Sequence, residues 1–264
     1  MSSLADQVIA ALHAGSDQLV PVVEGLTPDQ VTGASATAQW DVSTVLGHLG
    51  SGAVIALACL DASVAGTPNP GMEFNRSVWA TWDAMAPGER VASFLTANAA
   101  LLARYDSFDE QTRATLEVDL GFLPAPVDVA TAARFRLNEF ALHSWDVRVA
   151  LDPAAVLQPD AVPLLLGGLP FMLGWLAKAA PLGGRTVCLR VDLAEPGNSF
   201  GLLLGAEPSI ATVPPEAPDG VIALPAEAWL RLATGRLAPE YTPAGVTVTG
   251  EVSLDTLRAV FPGF

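Results

Sequence analysis

Charge is scarce in this 264-residue chain, and basic charge scarcer still: 16% of residues are charged, with 13 Lys and Arg against 28 Asp and Glu. The resulting net charge of −15 argues against a nucleic-acid partner, because no basic stripe is available to displace counterions from phosphates. It argues against docking on an anionic membrane surface for the same reason. Cysteine is nearly absent. Cys59 and Cys188 lie far apart, each in an apolar run, which is the pattern of buried, reduced thiols rather than of a disulfide framework or a thiolate metal site. The first residues lack the basic flank and apolar core of a signal peptide, so the cytoplasm is the expected compartment.

Long uninterrupted apolar runs are missing too. Residues 161–177 carry no charge, but Pro163, Gly167, Gly168 and Pro170 break the stretch, and Asp160 and Lys178 close it. That composition suits a buried connecting segment better than a membrane span, and no membrane partner is expected. What is plentiful is apolar side chain, 51% of residues, enough to core one large domain or two modest ones.

The first 150 residues read as helices. Residues 3–24 place Leu4, Val8, Leu12 and Leu19 on one face and stop at Gly25. Asp41 or Ser43 can cap a second helix running toward Leu60, and Thr67-Pro68-Asn69-Pro70-Gly71 is a loop. Pro87-Gly88-Glu89 opens a third helix. A looser stretch with an extended piece ends at Pro124-Ala125-Pro126. Asp128 then caps a fourth helix to Leu151, stopped by Asp152-Pro153. Four long helices with a crossover predict a four-helix bundle over residues 1–151. Residues 152–184 connect it to a smaller unit over residues 185–264. There the pattern turns to strands at Thr186–Asp192, Phe200–Leu204, Gly220–Leu224 and Val246–Thr249, with helices at Pro225–Thr234 and Ser253–Val260. The expected fold class is α+β.

The chemistry gathers on the second and fourth helices. Glu139 and His143 are four residues apart, so their Cβ atoms sit about 5–6 Å from one another on one helix face. That is a suitable bite for one metal ion, although the same spacing is common as a weak surface pair. On a helical wheel with Glu139 at zero, His143 falls at about 40°, Asp146 at about −20° and Arg136 at about 60°. Phe135, Phe140, Leu142 and Val147 flank that arc, while Arg134, Ser144 and Arg148 take the opposite, solvent-facing side. Ionisable groups inside an apolar face need partners or a metal. An Arg136–Glu139 ion pair beside a neutral His143 is the alternative. On the second helix His48 projects from a face of Val45, Gly52 and Ile55. His13, on the first helix, reads as surface or packing. Two imidazoles and a carboxylate, His48, Glu139 and His143, are a zinc-type donor set with the fourth position open, and an open position means catalysis.

Around these residues the chain resembles a known family. Trp40-Asp41-Val42-Ser43-Thr44-Val45-Leu46-Gly47-His48-Leu49 is similar to the W-x-V-x-x-x-x-x-H-L segment of the mycothiol-dependent maleylpyruvate isomerases, within the DinB-like metal-binding bundles. Arg136-Leu137-Asn138-Glu139-Phe140-Ala141-Leu142-His143-Ser144-Trp145-Asp146 resembles their R-x-x-E-x-x-x-H-x-W-D segment. Thr234-Gly235-Arg236, Val248-Thr249-Gly250-Glu251 and the closing Phe261-Pro262-Gly263-Phe264 resemble their smaller second domain, which is shaped like a sterol carrier protein.

The resemblance implies a DinB-like bundle with zinc or another divalent metal on His48, Glu139 and His143. It implies mycothiol as a thiol cosubstrate held as thiolate at the open position, since a metal deprotonates a coordinated thiol at neutral pH. A small electrophile would then react with that sulfur: addition, rotation and elimination in an isomerase, release of the product in an S-transferase. Arg236 becomes the candidate partner for a substrate carboxylate, against a plain reading as a surface charge beside a helix C-terminus. Asp146 becomes the candidate that orients a ligand imidazole, against a pairing with Arg136. The protein would be a monomer or small homo-oligomer. Two other classes compete. One is a metal-binding regulatory module closed by Asp146 as fourth ligand, and the other is a small-ligand carrier working through the C-terminal unit.

Overall fold

Ser3 begins the first helix by a reciprocal cap, its hydroxyl accepting from the Asp6 amide at 3.1 Å while the Asp6 carboxylate accepts from the Ser3 amide at 3.0 Å. In the computed structural model, which describes residues 2–194 and 197–263, this helix, α1, spans Leu4–Glu24 and ends at Gly25. Val8, Leu12 and Leu19 are buried along it, but Leu4 is exposed and Ala5 takes its place in the core. A short α2, Pro28–Val31, precedes α3, Val42–Ala65. Asp41 is the α3 cap, accepting from the Thr44 amide and hydroxyl at 2.7 Å and from the Ser43 hydroxyl at 2.9 Å.

The sequence pattern marks no helix between the Thr67–Gly71 loop and Pro87. The structure inserts a helix there, α4, Gly71–Asp83. Its first residue carries a positive φ of 81° and only Val78 and Trp82 are buried, so neither a cap nor an apolar stripe announces it. Trp82 nonetheless matters to the bundle: its ring lies where a Cβ on Gly50 of α3 would be. Next come α5, Pro87–Asp106, with Pro87 in its first turn, and α6, Glu110–Thr115. The extended piece is a two-residue ladder of β1, Glu117–Val118, and β2, Val127–Asp128. Asp128 then caps α7, Val129–Val149, through the Thr131 amide at 2.7 Å.

α1, α3, α5 and α7 form the bundle. α1 packs on α5 and α7, and α3 packs on the same two, so the chain crosses the bundle diagonal between α1 and α3. Because α7 is flanked on two sides, most of it is buried. Ser144 is therefore in the core rather than solvent-facing, and Arg148 is half-buried, its Nη2 donating to the Val156 carbonyl at 2.8 Å. Among the described residues α3 is the helix long and apolar enough to cross a bilayer, by length and composition alone.

Two compact units divide the chain, Met1–Ala161 and Val162–Phe264. Residues 161–177, read above as an interrupted connector, are mostly one helix, α8, Ala161–Leu176. Pro163 sits in its first turn, where the missing N–H would have had no helical partner. In the second unit, β3 (Val187–Ala194), β4 (Asn198–Leu204), β5 (Ser209–Ala211), β6 (Gly220–Pro225) and β7 (Thr247–Gly250) form a sheet in the order β5-β4-β3-β6-β7. β3 and β6 are parallel and the other pairs antiparallel. The three-residue β5 is too short to show a period, and the sequence reading lacked it. α9, Ala226–Ala233, packs on β3 and β6, and α10, Leu254–Val260, packs on α9. Trp229, Phe200 and Phe261 meet at ring separations of 5.7 and 5.8 Å in this core.

Both cysteines are free. Cys59 is buried, which pushes its thiol pKa up, whereas Cys188 is only half-buried because it lies on the more open face of β3.

Candidate metal centre

Asp41 and Asp128 start α3 and α7, and the packing of those two helices sets His48 against the face that carries Glu139 and His143. His48 Nε2 lies 3.1 Å from Glu139 Oε2, and His143 Nε2 lies 3.7 Å from the same oxygen. The imidazole rings are 4.7 Å apart at 67°. One donor atom from each of the three residues falls within 4.8 Å of the others. The side chains of His48 and Glu139 are 38% and 37% exposed, and that of His143 is 8% exposed. The donor set therefore opens to solvent on the His48–Glu139 side instead of lying within the core, as the apolar faces had suggested.

His143 shows how the set is oriented. Its Nδ1 lies 2.8 Å from Asp146 Oδ2, and Asp146 is fully buried. Facing a carboxylate, Nδ1 must carry the proton, which leaves the Nε2 lone pair of the neutral ring aimed at the Glu139 side. A lone pair facing a carboxylate is repulsive unless a cation or proton lies between them, so the donor chemistry fits a metal ion. Asp146 engages the far edge of the ring from Nε2, so the cluster offers three donors, not the four of a closed site.

Asp146 has a second partner. The Thr37 hydroxyl donates to Oδ2 at 2.9 Å, and the Ala36 amide donates to the Asp146 carbonyl at 3.2 Å. Both come from the loop between α2 and α3, which is pinned by the Ser35 amide and hydroxyl donating to the Trp40 carbonyl. Gln39 in this loop adopts φ of 70°, the sole positive φ among the described non-glycine residues. The same loop places Trp40 over both imidazoles, 5.9 Å and near-parallel at 25° to His143, and 5.3 Å from His48. In the sequence Trp40 stands out only as a motif residue, and Thr37 does not stand out at all. A lone threonine in a loop carries no period or spacing that could reveal it.

The remaining motif residues take distinct places. Trp145 Nε1 donates to the Ala155 carbonyl at 2.8 Å, tying down the chain after α7. Arg136 is buried with its guanidinium 5.7 Å from the Phe140 ring. Its Nη1 would stand 3.2 Å from a Cβ on Gly52 of α3. Nε and Nη2 are buried without a hydrogen-bond partner among the described residues. Burial pulls the Arg136 pKa down to about 10, with the Glu139 carboxylate opposing the shift. The group stays cationic at neutral pH. Ten residues separate Arg136 from Asp146, about 15 Å of helix rise, so the alternative pairing of those two is ruled out.

Arg236 lies in the second unit, half-buried just past α9, and its Nη1 donates to the Thr234 carbonyl at 3.1 Å. Gly235 makes the turn with φ of 75°, and a Cβ there would collide with the backbone of Gly263. The Thr234-Gly235-Arg236 and Phe261-Pro262-Gly263 segments thus meet by close backbone approach. Phe264 lies outside the described residues. His13 is partly exposed and pairs with Asp106 at 2.8 Å, apart from this cluster.

A family model described as the mycothiol maleylpyruvate isomerase N-terminal domain matches residues 12–148. Two crystal structures of the mycothiol-dependent maleylpyruvate isomerase, one of them a histidine-to-alanine mutant, are similar in fold, each with a TM-score of 0.64. Each similarity covers 96% of this chain and 98% of the other, at 17% identity for the unmutated protein and 16% for the mutant. No curated protein matches the chain.

Proposed function

Since the chain belongs to the mycothiol maleylpyruvate isomerase N-terminal domain family, we propose that it is a metal-dependent enzyme that turns the mycothiol thiolate on a small electrophile. The reaction would be an isomerisation of the maleylpyruvate type or an S-transfer. The observation that carries this reading is the convergence of the His48, Glu139 and His143 donor atoms within 4.8 Å, with one side open.

His48 and His143 would hold the metal through Nε2, and Glu139 through its carboxylate. A divalent ion held there, zinc by its liking for nitrogen and oxygen donors, would supply the acidity that deprotonates a thiol at neutral pH. Asp146, itself held by Thr37, fixes the His143 tautomer so that Nε2 stays a lone-pair donor. Trp40 packs against both imidazoles and keeps water from one side of them. Arg236 is proposed, on its motif, as the partner of a substrate carboxylate. Arg236→Gln should then raise KM for diacids more than for uncharged electrophiles.

The test is mass spectrometry of the protein incubated with mycothiol and a panel of unsaturated acids and alkylating electrophiles, with elemental analysis alongside. The reading expects about one divalent metal per chain, turnover that requires mycothiol, and poor turnover with thiols lacking its sugar-inositol portion, because the metal–sulfur bond is common to all thiols. Full activity in thiol-free buffer would sink it and favour a hydrolase. Metal bound by four protein donors with none exchangeable would favour a regulatory module.

A further inference from the structure

Three charged side chains of α7 lie in or beside the donor set. Glu139 and Asp146 are carboxylates, and Arg136 is a guanidinium three residues before Glu139, on the same helix face. The imidazoles of His48 and His143 are neutral when they act as metal donors. Two negative charges against one positive leave the protein's contribution at one net negative charge. A divalent ion turns that into one net positive charge, which a single thiolate cancels. With Arg136 removed, the sum would already be zero before any thiol arrived, and a thiolate would make it negative.

Arg136 is suited to act through its field. It is buried, its Nε and Nη2 have no hydrogen-bond partner among the described residues, and so neither side of the guanidinium fork is closed by a two-point salt bridge. Its neighbours are an aromatic face, Phe140, and Tyr105, whose hydroxyl burial keeps protonated. Gly52 of α3, one turn beyond His48, leaves the space in which Nη1 sits. On the buried side of the donor set the Arg136 charge is weakly screened, and solvent at the open His48–Glu139 side reduces its field without cancelling it. Retaining a buried cation so close to a metal centre costs desolvation and weakens cation binding, which calls for a compensating use.

We propose that Arg136 is a specificity-determining residue whose buried charge reserves the open position of the metal centre for a monoanionic ligand such as a thiolate. This rests on the metal–thiol reading above. The field acts on the two ligands with opposite signs: it opposes the divalent ion and favours the thiolate. Removing the charge should therefore tighten metal binding and weaken thiol binding. Because the ion carries twice the charge of a thiolate, the metal effect should be the larger of the two.

The experiment compares wild type, Arg136→Met and Arg136→Lys, with Arg136→Gln as the neutral variant if Arg136→Met does not fold. Zinc affinity is read by chelator competition. Thiol affinity is read on the cobalt-substituted proteins from the sulfur-to-cobalt charge-transfer band on adding mycothiol. The neutral variant should bind zinc on the order of 100-fold more tightly and mycothiol on the order of tenfold more weakly, and the pH at which the band appears should rise. Arg136→Lys should match wild type in both. A purely structural role predicts the reverse for the metal, with both affinities falling together, and that result or no change in either overturns the inference alone. A wild-type protein that takes up neither metal nor thiol overturns the reading beneath it as well.

Discussion

His143 faces a carboxylate with each of its nitrogens, Asp146 on Nδ1 and Glu139 toward Nε2, and a neutral imidazole has one proton to give. The buried Asp146 takes it, so the residue's donor character depends on a neighbour that is not itself in the three-donor cluster. Asp146→Asn keeps the shape but offers an amide whose orientation no longer enforces the tautomer, and Asp146→Ala leaves Nδ1 and the Thr37 hydroxyl facing an empty site. Metal affinity should fall about 10–100-fold in either variant, measured by chelator competition. Thr37→Val should fall in the same direction by less, since it removes one of the bonds that hold the carboxylate. Unchanged affinity in both Asp146 variants would show that the Nδ1 contact does not orient the ring. At this scale the three residues that the structure brings together were legible in the sequence, because four-residue spacing and a rare residue type are visible on a helix. Thr37 was not visible, because it reaches Asp146 across 109 residues of chain and through a loop.

Caps decide the elements that carry these residues. Asp41, one of the two caps the sequence offers for α3, and Asp128 start α3 and α7 because a cap satisfies amide groups that nothing else can reach. Pro87 starts α5 from its first turn, where its missing N–H needs no partner. α4 and β5 went unread for the converse reason: one opens on a glycine with positive φ and buries two side chains, the other has three residues. Asp41 offers the sharpest test. Burial alone would raise its pKa, but the donors on Thr44 and Ser43 outweigh it and hold the carboxyl below its ordinary value. A depressed pKa contributes stability above the unfolded carboxylate value of about 3.9 and loses it as pH falls through the folded value. Asp41→Ala should therefore cost about 1 kcal/mol near neutral pH, a Tm drop of roughly 2–4 °C. The gap to wild type should shrink as pH drops below about 4. A gap that stays constant down to pH 2 would mean that the carboxylate charge has no part in the cap. Gly50→Ala probes the same helix from its side: the new methyl would meet the Trp82 ring and should cost about 1–3 kcal/mol by overpacking, read as a lower Tm at every pH.

For the whole molecule, the donor set joins helices that are far apart in sequence. His48 and Glu139 are separated by 91 residues, the chain crosses the bundle diagonal between α1 and α3, and neither cysteine provides a crosslink. The division into a helical bundle and a mixed-sheet unit was legible as a change of period from 3.6 to 2. The solvent exposure of the candidate centre on the His48–Glu139 side was not, because it depends on how α3 and α7 pack at His48, and helix wheels carry no interhelical distance. If the ion clamps α3 to α7, it binds only the folded bundle and stabilises it by mass action. At a free concentration about 100 times its Kd, zinc should add about 2.7 kcal/mol, which for a unit of this size is a Tm rise of roughly 5–10 °C. Stripping the metal with a chelator should lower Tm by that amount, and zinc should restore it. His143→Ala removes a donor and also deprives the buried Asp146 carboxylate of a partner, so its Tm should lie below that of the stripped wild type and should respond little to added zinc or chelator. Calorimetry of the four samples, wild type and variant with and without metal, separates the contributions. Equal zinc responses in wild type and His143→Ala would place the stabilising ion elsewhere on the chain, and no response in either would remove the clamp.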